Sequence, residues 1–197
     1  MKPVFLIGYM GCGKTTLGEV LARQMGLLFI DLDEYIEHKQ GATIVEIFDK
    51  MGEKRFRELE TAALCDVAAM SDVIVGCGGG TPCHGDNMAL MNLAGTTVWL
   101  TTSPERITAR LLLPEQKVKR PKFANLPDEA FLHLVKRELE ARTPYYSQAR
   151  LQFDSTDIET GPATERTARR LAIFLRPHLE TGNDVPKTRN QKLGTRD

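Results

Sequence analysis

Val4-Phe5-Leu6-Ile7-Gly8-Tyr9-Met10-Gly11-Cys12-Gly13-Lys14-Thr15 joins a short apolar run to a glycine-rich turn that closes on a Lys-Thr pair. Its last eight residues fit G-x-x-x-x-G-K-[ST]. They follow a predicted strand and precede a segment of helical period, residues 17–25, which is the context that gives this pattern its meaning. The glycines let successive backbone N–H groups turn inward around phosphate oxygens, and the helix N-terminus adds positive potential. Lys14 then meets the outer phosphates and the Thr15 hydroxyl ligates Mg²⁺. The stretch reads as a nucleoside triphosphate site with Gly11, Cys12, Gly13, Lys14, Thr15 and Thr16 as its contacts.

Working outward, further short apolar runs occur at 27–30, 73–75, 97–100 and, more weakly, 151–153, separated by longer segments of helical period. Near-continuous apolar strands alternating with helices predict an α/β fold built on a parallel sheet covered on both faces. Helix starts are marked locally. Thr43 with Glu46 forms a capping-box pattern, Ser103 caps a first-turn Pro104, and Pro127 leads an acidic first turn of Asp128 and Glu129. A last helix is expected over 163–175.

The 197 residues carry 26 Lys+Arg against 26 Asp+Glu, and 42% are hydrophobic. A length of this order supports one core, so a single domain over 1–180 is expected. Zero formal charge leaves no global field to hold nucleic acid or an anionic membrane surface. The first apolar run stops at Gly8, and no later segment approaches the roughly 20 residues of a membrane helix. Cys12, Cys65, Cys77 and Cys83 form no C-x-x-C pair and no zinc spacing; they read as reduced, buried or half-buried thiols of a cytoplasmic protein. Residues 114–125 are basic, proline-broken and aperiodic, which predicts a mobile loop. The polar stretch 181–197 is expected to be disordered.

Other candidates are less specific one by one. Asp31 and Asp33 follow the second predicted strand; at i and i+2 of an extended segment both carboxylates would face one way, near the phosphates. Alone the pair is equally a solvated turn. Arg57 and Glu60 share a helix face within 53–70, where spacing alone favours a surface ion pair. Gly78, Gly79 and Gly80 follow the third strand and permit close approach of a ligand, or simply a tight turn. Arg110 leads into the basic loop, Arg120 precedes Pro121 within it, and Arg142 lies where a helix over 127–143 meets Pro144.

Taken in order, residues 8–15, Asp31 with Asp33, Phe56-Arg57 with Glu60, the three glycines, Arg120-Pro121, and Arg142 with Pro144 and Tyr146 resemble the shikimate kinase family from about residue 4 to 175. The resemblance implies a P-loop kinase of the nucleoside monophosphate kinase type, a three-layer α/β/α fold with a five-stranded parallel sheet and a mobile lid at about 114–125. It implies phosphoryl transfer from ATP to the 3-hydroxyl of shikimate. In it Asp33 binds that hydroxyl as base or orienter, and Thr15 and Asp31 serve Mg²⁺. Arg57, Arg142 and the backbone of Gly78, Gly79 and Gly80 hold shikimate, with Glu60 orienting Arg57. Lys14 and Arg120 act on the transferring group, and Arg110 lies over adenine. Expected partners are shikimate and ATP, with no nucleic acid and no membrane, in a monomer. The competing readings are a gluconate or nucleoside monophosphate kinase, whose substrate does not need two arginines around a ring carboxylate, and a nucleotide-dependent switch, which does not need Asp33. The segment from Arg110 to Arg120 is longer than the family pattern, and Lys122-Phe123 replaces its usual apolar pair.

Overall fold

The computed structural model describes residues 1–113 and 127–180. The lid expected at 114–125, Arg120 within it, and the tail 181–197 lie outside the described residues. Five strands, β1 (Val4–Ile7), β2 (Leu28–Asp31), β3 (Val73–Gly76), β4 (Thr96–Thr101) and β5 (Leu151–Asp154), form one sheet in the order β2-β3-β1-β4-β5. All four pairings are parallel. Helices α1 (Lys14–Met25), α2 (Leu32–Gln40), α3 (Ile44–Ala68), α4 (Asn87–Ala94), α5 (Pro104–Leu111), α6 (Asp128–Tyr146) and α7 (Gly161–Glu180) cover it, with a short 3₁₀ turn at Thr81–Cys83. The expected α/β sandwich of layers is present.

Alternation along β1 assigns its residues to two cores. Phe5 and Ile7 pack with Leu64, Val67, Met91 and Val135 on one face, whereas Val4 and Leu6 pack with Leu17, Leu21, Ala168 and Leu171 on the other. Because every strand points the same way, the carboxyl ends of β1, β2 and β3 deliver the P-loop, Asp31 and the three glycines to one rim. Central strands β1 and β3 are buried at every position, but the edge strand β2 is exposed at Leu28 and only half-buried beyond it.

The capping signals hold. The Thr43 hydroxyl accepts from Glu46 N at 3.2 Å while Thr43 N donates to Glu46 Oε2 at 2.9 Å, and Ser103 Oγ accepts from Arg106 N. Gly52 adopts φ 77°, ψ 169° and divides α3 in two. Four sequence expectations need correction. Helix α1 begins at Lys14 rather than residue 17. Asp33 is not on an extended segment: the chain turns at Asp31, whose Oδ1 accepts from Asp33 N at 3.1 Å, so Asp33 lies in the first turn of α2. Helix α6 does not stop at 143 but runs through Pro144, carried by Tyr146, which is fully buried, stacks at an angle on Trp99 and donates to Gly79 O. All four cysteines are free thiols as expected, but Cys65 is exposed.

Gly95, between α4 and β4, is extended at φ −161°, so any residue could adopt its backbone. Space is the obstacle, since an added Cβ would lie 2.0 Å from Pro3 O beside the start of β1. Gly95→Ala is expected to destabilise by about 1–3 kcal/mol, a fall of roughly 3–10 °C in Tm for a domain of this size. Leu93→Ala, at an exposed position two residues earlier, should stay within about 0.5 kcal/mol. Thermal unfolding of the two variants measures the contrast.

Candidate active site

The P-loop is held open by what happens to its carbonyls. Lys14 Nζ donates to Gly8 O at 2.9 Å and Tyr9 O at 3.0 Å. Arg110 Nη1 donates to Gly11 O at 3.1 Å, Ser155 Oγ to Cys12 O at 2.7 Å, and Leu17 N to Gly13 O at 2.8 Å. Gly11 and Gly13 take φ 77° and 99°, conformations that side chains resist. The first-turn N–H groups of Lys14, Thr15 and Thr16, which no helical carbonyl serves, are left for an anion. Arg110, expected over adenine, is anchored by its two Nη groups to Gly11 O and to Thr156 O at 2.7 Å, and it pairs with Glu159.

Thr15 Oγ1 donates to Asp31 Oδ2 at 2.9 Å, so the two residues expected to serve a metal are neighbours. The other Asp31 oxygen caps α2. Asp33 differs: its carboxylate accepts no side-chain or backbone hydrogen bond among the described residues, and it lies half-buried against Gly78. Burial, followed by the charges of Asp31 and Glu60, pushes its pKa up to about 6 against the opposing pull of Lys14.

The three glycines form the floor. A Cβ on Gly78 would lie 3.1 Å from Asp33 Oδ1 and 3.2 Å from Glu60 Oε1; one on Gly79, 3.4 Å from Arg142 Nη1; one on Gly80, 3.0 Å from both terminal nitrogens of Arg57. None of the three has the positive φ that would demand glycine. Space is tight at Gly78 and Gly80 and ordinary at Gly79, and each faces a different charged side chain predicted to bind substrate. Arg57 donates to Glu60 Oε2 at 2.9 Å and pairs with Glu53. Glu60 is 1% exposed, so the surface ion pair expected from spacing is instead a buried carboxylate with a half-buried arginine. A cavity of about 770 Å³ opens on the outer side of Arg57, between α3 and His84.

Sequence reasoning overlooked two residues. Glu138 Oε2 accepts from Arg142 Nη2 at 2.9 Å and from Tyr9 OH at 2.9 Å, and the Arg142 guanidinium lies 5.1 Å from the centre of the Tyr9 ring. Arg142 and Glu138 are an i,i+4 pair that helical spacing could have offered, but Tyr9 is 129 positions away and left no local signal.

Residues 10–174 match the family model for shikimate kinase. The shikimate kinase of Phocaeicola vulgatus is 46% identical over 159 residues, which are 81% of this chain and 90% of that protein. The chain belongs to the shikimate kinase family. A 1.7 Å crystal structure of the enzyme from Bacteroides thetaiotaomicron superposes with a TM-score of 0.84 at 40% identity, covering 89% of this chain and 98% of that one. The Acinetobacter baumannii enzyme, crystallised with shikimate, gives 0.75 at 30% identity, over 90% and 94% of the two chains. This chain is an ATP-dependent phosphotransferase acting on a shikimate hydroxyl, a step of aromatic amino acid biosynthesis. The alternatives of gluconate kinase, nucleoside monophosphate kinase and switch fall away.

The raised Asp33 pKa has a signed effect on stability. The folded protein holds a proton on Asp33 up to about pH 6, the unfolded chain only to about 4, so this group's contribution falls as pH rises from about 4 to about 6. Asp33→Asn removes the penalty. The variant should match the parent near pH 4 and exceed it by on the order of 1–3 kcal/mol at pH 8, read by urea unfolding at both values. Equal stability at pH 8 would show that Asp33 carries no burial penalty.

Proposed function

We propose that Asp33, Arg57, Arg142 and the backbone of Gly78, Gly79 and Gly80 form the acceptor site, and that the 3-hydroxyl of shikimate is presented there to ATP held on the P-loop. One observation carries the reading: three consecutive side-chain-free positions bring a carboxylate and two guanidinium groups to a single floor. Shikimate is a ring carboxylate bearing hydroxyls. Two arginines match its carboxylate, and a carboxylate without a hydrogen-bond donor matches the hydroxyl that must lose a proton.

On this reading Lys14, already at the mouth of the loop, compensates the outer phosphates. Asp33 accepts the hydroxyl proton or aligns the hydroxyl, and its position in the first turn of α2 does not leave it locked in a structural bond. Arg110, with both Nη groups committed to backbone, offers a nucleotide base its flat guanidinium face. Arg120 keeps the role on the transferring phosphoryl group that the family pattern implies. Thr15 Oγ1 and Asp31 would hold Mg²⁺. Two hard oxygen donors and no cluster of three or more His, Cys, Asp or Glu among the described residues fit an ion that takes its remaining ligands from phosphates and water. When bound, Mg²⁺ supplies charge neutralisation at the phosphates; positioning and deprotonation remain with the chain. We take the monomer as the working unit. The four free thiols suit the reducing cytoplasm.

ADP release measured separately with shikimate, gluconate and a nucleoside monophosphate tests the acceptor, and only shikimate should support turnover. Lys14→Ala should remove most turnover without unfolding the protein. Arg57→Ala and Arg142→Ala should each raise the KM for shikimate by tens- to thousands-fold, the equivalent of about 2–5 kcal/mol for a buried charge left unpaired, with the KM for ATP little changed. The reverse pattern would place them on the nucleotide side. Because an ionised Asp33 is needed, kcat/KM for shikimate should climb through about pH 6. Asp33→Asn should lose that limb and on the order of 10²–10⁴ in kcat.

A further inference from the structure

Beside the acceptor floor Glu60 belongs to a chain of buried polar groups, of which Thr81 and Asn87 have no part in the reaction as described. Glu60 is 1% exposed, Thr81 0% and Asn87 1%. One Glu60 oxygen accepts from Arg57; the other, Oε1, accepts from the Thr81 hydroxyl at 2.5 Å. The Thr81 carbonyl accepts from Asn87 Nδ2 at 2.9 Å, and Asn87 Oδ1 accepts from the Thr61 hydroxyl at 3.0 Å. Thr61 follows Glu60 in α3, so the bonds close into a ring that joins α3, the 3₁₀ turn and the first residue of α4. Its orientation is forced. A carbonyl only accepts, so the Asn87 amide must present nitrogen to Thr81 and oxygen to Thr61.

We propose that Thr81 and Asn87 are positioning residues for the acceptor, acting through Glu60 on Arg57 and through the chain on Gly80. The inference rests on Arg57 as a ligand of the acceptor's carboxylate. Thr81 directly follows Gly80, whose Cα faces the Arg57 guanidinium, so one ring sets both the arginine and the backbone opposite it. A buried carboxylate that lost the Thr81 donor would have to find another partner, and the donor within reach is Arg57 itself. Pulling Arg57 toward Glu60 Oε1, which lies against Gly78, draws it away from its place opposite Gly80. Thr81 is therefore a determinant of acceptor affinity that does not touch the acceptor.

A role confined to packing α3 against α4 would lower stability without singling out one substrate. The test is a kinetic cycle on the full chain. Thr81→Val keeps the shape and removes the donor; it should raise the KM for shikimate by on the order of tenfold, leave the KM for ATP within about twofold, and lower kcat less than it raises KM. Thr81→Ser restores the hydroxyl and should return both constants near the parent's. Introduced into Arg57→Ala, Thr81→Val should add less than about twofold, because the group it acts through is gone. The same factor with and without Arg57, or an unchanged KM for shikimate with only a lower Tm, overturns the proposal. An Arg57→Ala variant with unaltered KM for shikimate would overturn the reading of Arg57 instead. Should Thr81→Val fail to fold, Thr61→Val opens the ring at its half-buried end, where a severalfold rise in the KM for shikimate alone supports the ring and no change refutes it.

Discussion

A turn that gathers N–H groups around an anion must first dispose of its own carbonyls, and this requirement ties the distant parts of the fold together. Lys14, Cys12 and Leu17, serving Gly8, Tyr9 and Gly13, are local to the loop. Gly11 O is taken by Arg110 from α5 and Cys12 O by Ser155 from the end of β5. The β4–β5 half of the sheet thus acts as a clamp on the loop between β1 and α1. Ile158 closes it from the same side: a Cβ on Gly13 would lie 2.1 Å from its Cδ1. Donors set in advance around a charge cost no reorganisation when the charge arrives.

The opposite half of the sheet solves a different problem, which is to keep charges of both signs close without their cancelling. Glu60 is fully committed, to Arg57 and Thr81, and Asp31 to Thr15 and Asp33 N. Arg142 is shared between Glu138 and the Tyr9 ring. Glu60 itself lies against Gly78, and both arginines keep terminal nitrogens close to the floor, Arg142 at Gly79 and Arg57 at Gly80. Substituting any of the three glycines would fill that floor directly, whatever it did to the backbone.

Legibility in the sequence followed the range of the interactions. The P-loop was readable because its spacing, strand and helix all lie within about twenty residues, and the caps at Thr43 and Ser103 because each involves residues three apart. Asp33 was readable as a residue but not in its backbone setting. Strand alternation was applied across Asp31, although an Asp at a strand's end followed by Asp33 and Glu34 is also an N-cap with an acidic first turn. Arg57 and Glu60 were readable as a pair, yet their burial is decided by Thr81 and Asn87, which approach only when α4 packs on α3. Pro144 signals a stop because its local cost is large, but the buried Tyr146 outweighs it from two residues further on. Glu138 is legible as an i,i+4 partner of Arg142, but nothing local links either to Tyr9, which meets them only in the fold.

The distribution of hydrogen bonds among the carboxylates separates their tasks. An acid that must release and recover a proton in each cycle cannot also be a fixed part of the scaffold, because every donor that stabilises its ionised form weakens it as a base. Asp31 and Glu60 accept two bonds each, and those bonds hold α2 and Arg57 in place. Asp33, beside them, accepts none among the described residues, and burial, reinforced by their charges, raises its pKa to about 6. That value leaves it mostly ionised near neutrality and fits the proposed role of taking a proton from the acceptor hydroxyl. The scaffold carboxylates therefore do more than hold their neighbours. Their charges add to what burial does to Asp33, so on the proposed reading a change at Glu60 would reach the hydroxyl through the field as well as the acceptor carboxylate through Arg57.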